Sequence, residues 1–143
     1  MRTETTVQSG GLHRILYVED DADIREIVRM SLEMVGKYTV AACESCADAL
    51  QVVDDFRPDL LLLDVMMPDM DGPSTLRKLR GRDSAVDAPA VFITAKVQAG
   101  DMAQYKQLGA FDVIVKPFDP MALPERIGQI WQSYREGEYG DAG

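Results

Sequence analysis

The sequence predicts an α/β fold, a doubly wound sandwich in which helices cover both faces of a five-stranded parallel sheet. Three observations carry this expectation. Short apolar runs alternate five times with segments whose apolar residues recur at helical spacing. The runs are continuously apolar, as strands buried on both faces are, rather than alternating. The first and third break off abruptly in acids, at Glu19 and at Asp64. Right-handed crossovers and a sheet covered on both sides then favour the doubly wound topology, although periodicity alone leaves the strand order open.

The body begins at Arg14, and Ile15-Leu16-Tyr17-Val18 makes the first strand, ending in Glu19-Asp20-Asp21. Ile24, Ile27, Val28, Leu32 and Val35 predict the first helix, with Gly36 as its stop. Tyr38–Ala42 reads as the second strand. Ala47, Leu50, Val53 and Phe56 predict a helix that ends before Pro58, because a residue preceding proline is sterically disfavoured in helical geometry. Leu60-Leu61-Leu62-Leu63 is the most apolar run and leads into Asp64. A turn-rich stretch from Met67 to Gly72 follows, with a helix around Ser74–Arg80 behind it. Pro89 introduces a strand over Ala90–Thr94, and Met102, Tyr105 and Leu108 form a weaker helical pattern that closes at Gly109. The last strand is Val113-Ile114-Val115, followed by Lys116-Pro117, and the last helix is expected from about Pro120 to Tyr134.

A chain of 143 residues fits one domain, here 14–134, with the polar, Gly-containing stretches 1–13 and 135–143 expected as flexible tails. Hydrophobic residues make up 46%, too many for a disordered chain. With 15 Lys+Arg against 24 Asp+Glu the net charge is −9, so no broad cationic surface is available to a nucleic-acid backbone or an anionic membrane. No apolar run approaches the roughly 18–20 residues that span a bilayer, and Met1–His13 lacks the apolar core of a signal peptide. A cytoplasmic protein that binds neither nucleic acid nor membrane directly is expected. The two cysteines, Cys43 and Cys46, are too few for a disulfide scaffold, and a zinc site would need more ligands than these and His13 supply. They read as incidental small residues.

Open parallel sheets bind ligands outside the carboxyl ends of their strands. Glu19, Asp20 and Asp64 stand at two such ends, and Thr94 and Lys116 finish two more. Carboxylates crowded within about 4 Å repel one another by a few kcal/mol per pair at an effective dielectric near 20, so the cluster calls for a cation. An all-oxygen set of few carboxylates suits Mg2+. Lys116 adds a fixed positive charge, and Thr94 a hydroxyl for a phosphate oxygen. The combination fits phosphoryl transfer, in which alignment and charge neutralisation do most of the catalysis, with Asp64 as the nucleophile that forms an aspartyl phosphate.

These residues also carry a family resemblance. From about Arg14 to Tyr134 the chain resembles the receiver domain of bacterial response regulators, through "ILYVEDD", "LLLLDVMMPDMDG", "VFITA" and "VIVKPF" in that order. The resemblance implies a flavodoxin-like (β/α)5 fold with strand order 2-1-3-4-5, Mg2+ held by Glu19, Asp20, Asp64 and the Met66 backbone carbonyl, and phosphorylation of Asp64. It assigns Thr94 and Lys116 to the switch that senses the phosphoryl group and makes the Lys116-Pro117 bond cis. A histidine kinase or phosphotransfer protein would be the donor, with output through a partner surface formed by the fourth helix, fifth strand and fifth helix. One departure stands out: many receivers place Tyr or Phe three residues before the lysine, where this chain has Val113. Either Tyr105 or Phe118 is the aromatic expected to substitute for it as the moving group.

The same residues admit competing readings. Asp21 and Asp23 fit the capping and charging of the first helix better than a role in the cluster. Asp69-Met70-Asp71-Gly72 hints at a calcium loop, but Met67 and Lys78 occupy positions where an EF-hand needs oxygen ligands, so a turn packed by Met66, Met67 and Met70 is expected. A phosphohydrolase with an aspartyl-phosphate intermediate would need an acid two residues after Asp64, where Met66 stands. A flavodoxin-like electron carrier would not put Glu19-Asp20-Asp21 against a flavin phosphate. The chain ends soon after the fifth helix, so a stand-alone receiver without an output domain is expected, with a receiver excised from a hybrid histidine kinase as the alternative.

Overall fold

A computed structural model describes residues 11–68, 70–95, 98 and 100–142, with side chains through residue 137. Five parallel strands, β1 (Arg14–Val18), β2 (Thr39–Cys43), β3 (Leu60–Asp64), β4 (Ala90–Thr94) and β5 (Asp112–Val115), form one sheet in the order β2-β1-β3-β4-β5. Between and after them run α1 (Ala22–Met30), α2 (Cys46–Phe56), α3 (Gly72–Leu79), α4 (Asp101–Gln107) and α5 (Leu123–Ala142). A short 3-10 turn, Asp83–Ala85, precedes β4. The flavodoxin-like order expected from the resemblance is therefore the observed one, and the strand order reverses between β1 and β3.

Strand alternation divides the core in two. Leu16, Val18, Leu61, Leu63, Phe92 and Val113 face α2 and α3 with Ala49, Val53, Leu76 and Leu79. Ile15, Tyr17, Leu60, Leu62, Ile93 and Ile114 face α1 and α5 with Val28, Leu32, Leu123, Ile127 and Trp131. β3 and β4 are buried along their whole length, which is why their sequences are continuously apolar.

The helices depart from expectation in instructive ways. Only Val28 and Leu32 of the expected α1 stripe are buried, Ile24 is half-buried, and Ile27 and Val35 are 50% and 46% exposed. After Met30 the helix widens into a π turn, Ser31–Val35, closed by the Gly36 amide donating to the Ser31 carbonyl at 3.2 Å. Gly36 is not the left-handed residue of this stop. Its φ is −84°, and the left-handed position is Lys37 at φ 64°. Glycine is needed at 36 because a Cβ would lie 2.8 Å from two ring carbons of Tyr38 and 2.9 Å from the Leu32 carbonyl oxygen. At the carboxyl end, α5 starts at Leu123 rather than Pro120 and continues past Tyr134 through the segment expected as a tail. Leu12 is fully buried, so packing begins before Arg14, while residues 1–10 of the expected N-terminal tail lie outside the described residues.

This geometry sets opposite signs for neighbouring substitutions. Gly36→Ala is expected to destabilise the fold by about 1–3 kcal/mol through overpacking. Lys37→Gly is expected to leave it unchanged or stabilise it by up to about 1 kcal/mol by relieving the positive φ. Urea denaturation of the two variants checks both; a larger loss in the Lys37 variant would place the strained residue wrongly.

Candidate functional site

The hydrogen-bond ladder runs one residue beyond the strands and so fixes the site. The Glu19 amide donates to the Cys43 carbonyl at 2.9 Å, Val65 to Ile93 at 2.9 Å, and Lys116 to Thr94 at 2.8 Å. Counting by twos from core residues, Glu19 follows Ile15 and Tyr17, Asp64 follows Leu60 and Leu62, and Lys116 follows Ile114. Period-two alternation therefore carries both acids and the lysine to the α1/α5 side of the sheet's carboxyl edge. Thr94, 1% exposed, has the opposite parity, that of Phe92.

Glu19 and Asp64 are buried, 1% and 2% exposed, and Asp20 is exposed beside them. One carboxylate oxygen from each lies within 4.8 Å of the others. Lys116 Nζ stands 3.3 Å from Glu19 Oε1 and 3.5 Å from Asp64 Oδ1, bridging the buried pair. Glu19 Oε1 also accepts from the Tyr17 hydroxyl at 3.3 Å, and Oε2 from the Asp21 amide at 3.3 Å. The Met66 amide, two residues beyond Asp64, donates to Asp64 Oδ1 at 3.4 Å.

Burial, together with Asp64 as a neighbour, raises the Glu19 carboxyl to about 7, against the opposing pull of Lys116 and the Asp21 amide. Burial and the adjacent Glu19 also push the Tyr17 phenol upward, so it remains a neutral donor. Among the described residues, the Lys116 ammonium alone bridges the buried pair and leaves the three-carboxylate cluster under-neutralised. Three hard oxygen donors this close, with negative charge in excess, suit Mg2+, whose octahedral shell holds oxygens at about 2.1 Å and tolerates several waters.

Three residues support the site in ways that the sequence motifs alone do not assign to them. Arg25, on α1, donates from Nη1 to the Glu19 carbonyl at 2.8 Å and the Asp20 carbonyl at 3.4 Å, clasping the backbone that bears both acids. Gly72 packs against the Asp64–Val65 backbone: its amide donates to the Val65 carbonyl at 3.1 Å, and a Cβ would fall 2.9 Å from the Asp64 carbonyl oxygen. In the sequence Tyr17 is one residue of an apolar strand. Its signal is its place two residues before Glu19, on the same face.

The remaining candidates resolve locally. Asp21 caps α1, accepting from the Asp23 and Ile24 amides at 3.0 Å each. Asp71 caps α3 by accepting from the Ser74 amide at 2.8 Å, so it belongs to a helix start; Asp69 lies outside the described residues. Met67 packs against the core but Met66 is 62% exposed, so the expectation that all three methionines pack around the turn fails at Met66. Cys43 and Cys46 are buried free thiols, and burial raises Cys43 to about 11, which suppresses the reactive thiolate. The Lys116-Pro117 peptide bond is cis.

Comparison with known proteins bears on the whole arrangement. The family described as the response regulator receiver domain matches residues 15–128. This chain belongs to that family. Receiver domains are phosphorylation-accepting signalling modules of two-component systems, and this receiver shares their fold. It is 37% identical over 124 residues to the phosphate regulon transcriptional regulatory protein PhoB of Pseudomonas aeruginosa, covering 87% of this chain and 54% of that protein. It is 41% identical over 114 residues to the DNA-binding response regulator MtrA of Mycobacterium leprae, covering 80% of this chain and 49% of that one. The receiver thus spans about half the length of these curated relatives. Among solved structures it matches the chemotaxis protein CheY4 of Vibrio cholerae with a TM-score of 0.76 and 27% identity, over 84% of this chain and 99% of that one. It also matches the signal receiver domain of a histidine kinase from Syntrophus aciditrophicus with a TM-score of 0.70 and 30% identity, over 85% and 90% of the two chains.

The raised Glu19 carboxyl makes a signed prediction for this receiver without metal. Below about pH 4.5 the group is protonated whether folded or unfolded and costs nothing. As pH rises towards 7 the unfolded chain ionises first, so stability falls by as much as about 3 kcal/mol and then levels off. In chelator, Glu19→Gln is expected to raise the thermal midpoint at pH 8 and to match the wild type at pH 4. A variant less stable than the wild type at pH 8 would mean that the Lys116 bridge outweighs burial.

Proposed function

We propose that Asp64 is the phosphoacceptor of this receiver and that Glu19, Asp20, Asp64 and the Met66 carbonyl hold Mg2+ for the transfer. The observation that carries the reading is Lys116 Nζ lying between buried Glu19 and Asp64, at 3.3 and 3.5 Å, on the edge where Asp20 completes the acid cluster. An Asp64 carboxylate oxygen attacks the phosphorus of a phosphohistidine donor; a P–O bond forms, the P–N bond breaks, and the nitrogen electron pair returns to the imidazole. Bound Mg2+ supplies charge neutralisation for the phosphoryl oxygens. Lys116 pairs with a phosphoryl oxygen after transfer, and the Thr94 hydroxyl is drawn towards another. Arg25 and Gly72 hold the two acid-bearing backbones still while this happens.

The chain acts as a phosphorylated signal carrier that assists its own phosphorylation and slow dephosphorylation, not as a hydrolase. The exposed thioether of Met66, where a hydrolase needs an acid, supports this. A histidine kinase or phosphotransfer protein is the donor, and the output leaves through a protein partner. The acidic net charge of −9 favours a protein surface over direct contact with nucleic acid. No described helix is long and apolar enough to cross a membrane, which fits a cytoplasmic site of action. Val113 is buried beside Phe92 and Ala110, and the Tyr105 ring meets Phe92 edge to face at 5.7 Å. Phe118 packs in the opposite cluster. This supports Tyr105 as the aromatic that responds when Thr94 moves; of the loop 95–100 between them, residues 96, 97 and 99 lie outside the described residues. The likeness to a receiver from a histidine kinase favours, as a second reading, a place within a hybrid kinase.

Incubation with a small-molecule phosphodonor and Mg2+ is expected to add one base-labile phosphoryl group, seen as an 80 Da step (about the mass of HPO3) by intact mass, and chelation should abolish it. Asp64→Asn should remain unlabelled. Equal labelling of that variant, or labelling indifferent to chelator, would overturn the assignment.

A further inference from the structure

Glu19 is restrained from two directions, and one restraint comes from outside the acid and lysine set. Tyr17 is fully buried, and its strand neighbours Ala42 and Leu62 are apolar. Those two neighbours offer its hydroxyl no side-chain partner. A buried hydroxyl nevertheless needs a partner, and for Tyr17 that partner is Glu19 Oε1 at 3.3 Å. Were the Glu19 carboxylate to swing out of the cluster, the buried phenol hydroxyl would lose this hydrogen bond, a loss that is costly for any buried donor. Arg25 already fixes the backbone beneath Glu19 through the 2.8 Å bond to its carbonyl. What remains free is the carboxylate's own rotation. Tyr17 and Lys116 approach the same oxygen, Oε1, while the Asp21 amide takes Oε2.

We propose that Tyr17 is a positioning residue for cation binding: its hydroxyl holds the Glu19 carboxylate turned into the acid cluster, so that Mg2+ meets ligands already arranged. The proposal rests on the reading of Glu19, Asp20 and Asp64 as the Mg2+ site. It adds a determinant of affinity that carries no charge and touches no metal. Ordering a long carboxylate side chain costs conformational entropy, and a group ordered before binding no longer pays that cost when the cation arrives.

Calorimetric titration of the full chain with MgCl2, without phosphodonor, tests this through Tyr17→Phe, Glu19→Gln and the double variant. Removing the hydroxyl alone is expected to raise the Mg2+ Kd three- to tenfold. In the Glu19→Gln background the same removal should change Kd less than twofold, because Tyr17 acts through that carboxylate. A Tyr17→Phe variant that binds Mg2+ within twofold of the wild type overturns the proposal. So does an equal loss in both backgrounds, which would mark a general structural effect. The metal-site reading fails separately, and takes the proposal with it, if the wild type binds no Mg2+.

Discussion

Two buried carboxylates and an exposed third, held at one edge of a sheet with the Lys116 ammonium bridging the buried pair, form the constraint on which the rest of this structure depends. At about 4 Å and an effective dielectric near 20, each carboxylate pair costs a few kcal/mol. Lys116 offsets part of that, and the raised Glu19 carboxyl records what is left. Such an arrangement persists only where the backbone bearing each acid cannot relax. β1 and β3, central and adjacent in the sheet, supply that rigidity, and the apolar clusters on both faces hold them in place.

The chemistry of the edge follows from ordinary strand geometry. The ladder's extension past Val18 and Val115 keeps Glu19 and Lys116 in register, and period-two alternation brings them to the same face as Asp64. The close approach of Gly72 to the Asp64 carbonyl then seats the start of α3 against the loop that follows the acid. Two further groups, the neutral Tyr17 hydroxyl and the Arg25 guanidinium, restrain the Glu19 side chain and its backbone from behind. The carboxylates of Glu19, Asp20 and Asp64 are thereby held close together on a rigid frame.

The strands were legible in the sequence because β3 and β4 are buried on both faces and have no choice but to be continuously apolar. Glu19, Asp64 and Lys116 were legible because charge directly after such a run has to emerge at the sheet edge. Helix limits were not. The α1 stripe overstated burial at Ile27 and Val35, and Gly36 is explained by the ring of Tyr38 rather than by a positive φ, which no local pattern reveals. Met66, Met67 and Met70 look alike in sequence, yet Met66 is the one turned to solvent. Arg25 and Gly72 act on backbone atoms distant in sequence or across a turn, and such contacts leave no periodic trace.

The central claim is that the acid cluster is strained when empty of a cation and relieved by one. The thermal midpoint measured against MgCl2 concentration tests it most directly, in the wild type and in Asp20→Ala, since a ligand that binds only the folded state stabilises it. The account predicts a midpoint that climbs with Mg2+ in the wild type and stays flat in the variant. An equal climb in both would contradict it and place the cation elsewhere on the molecule.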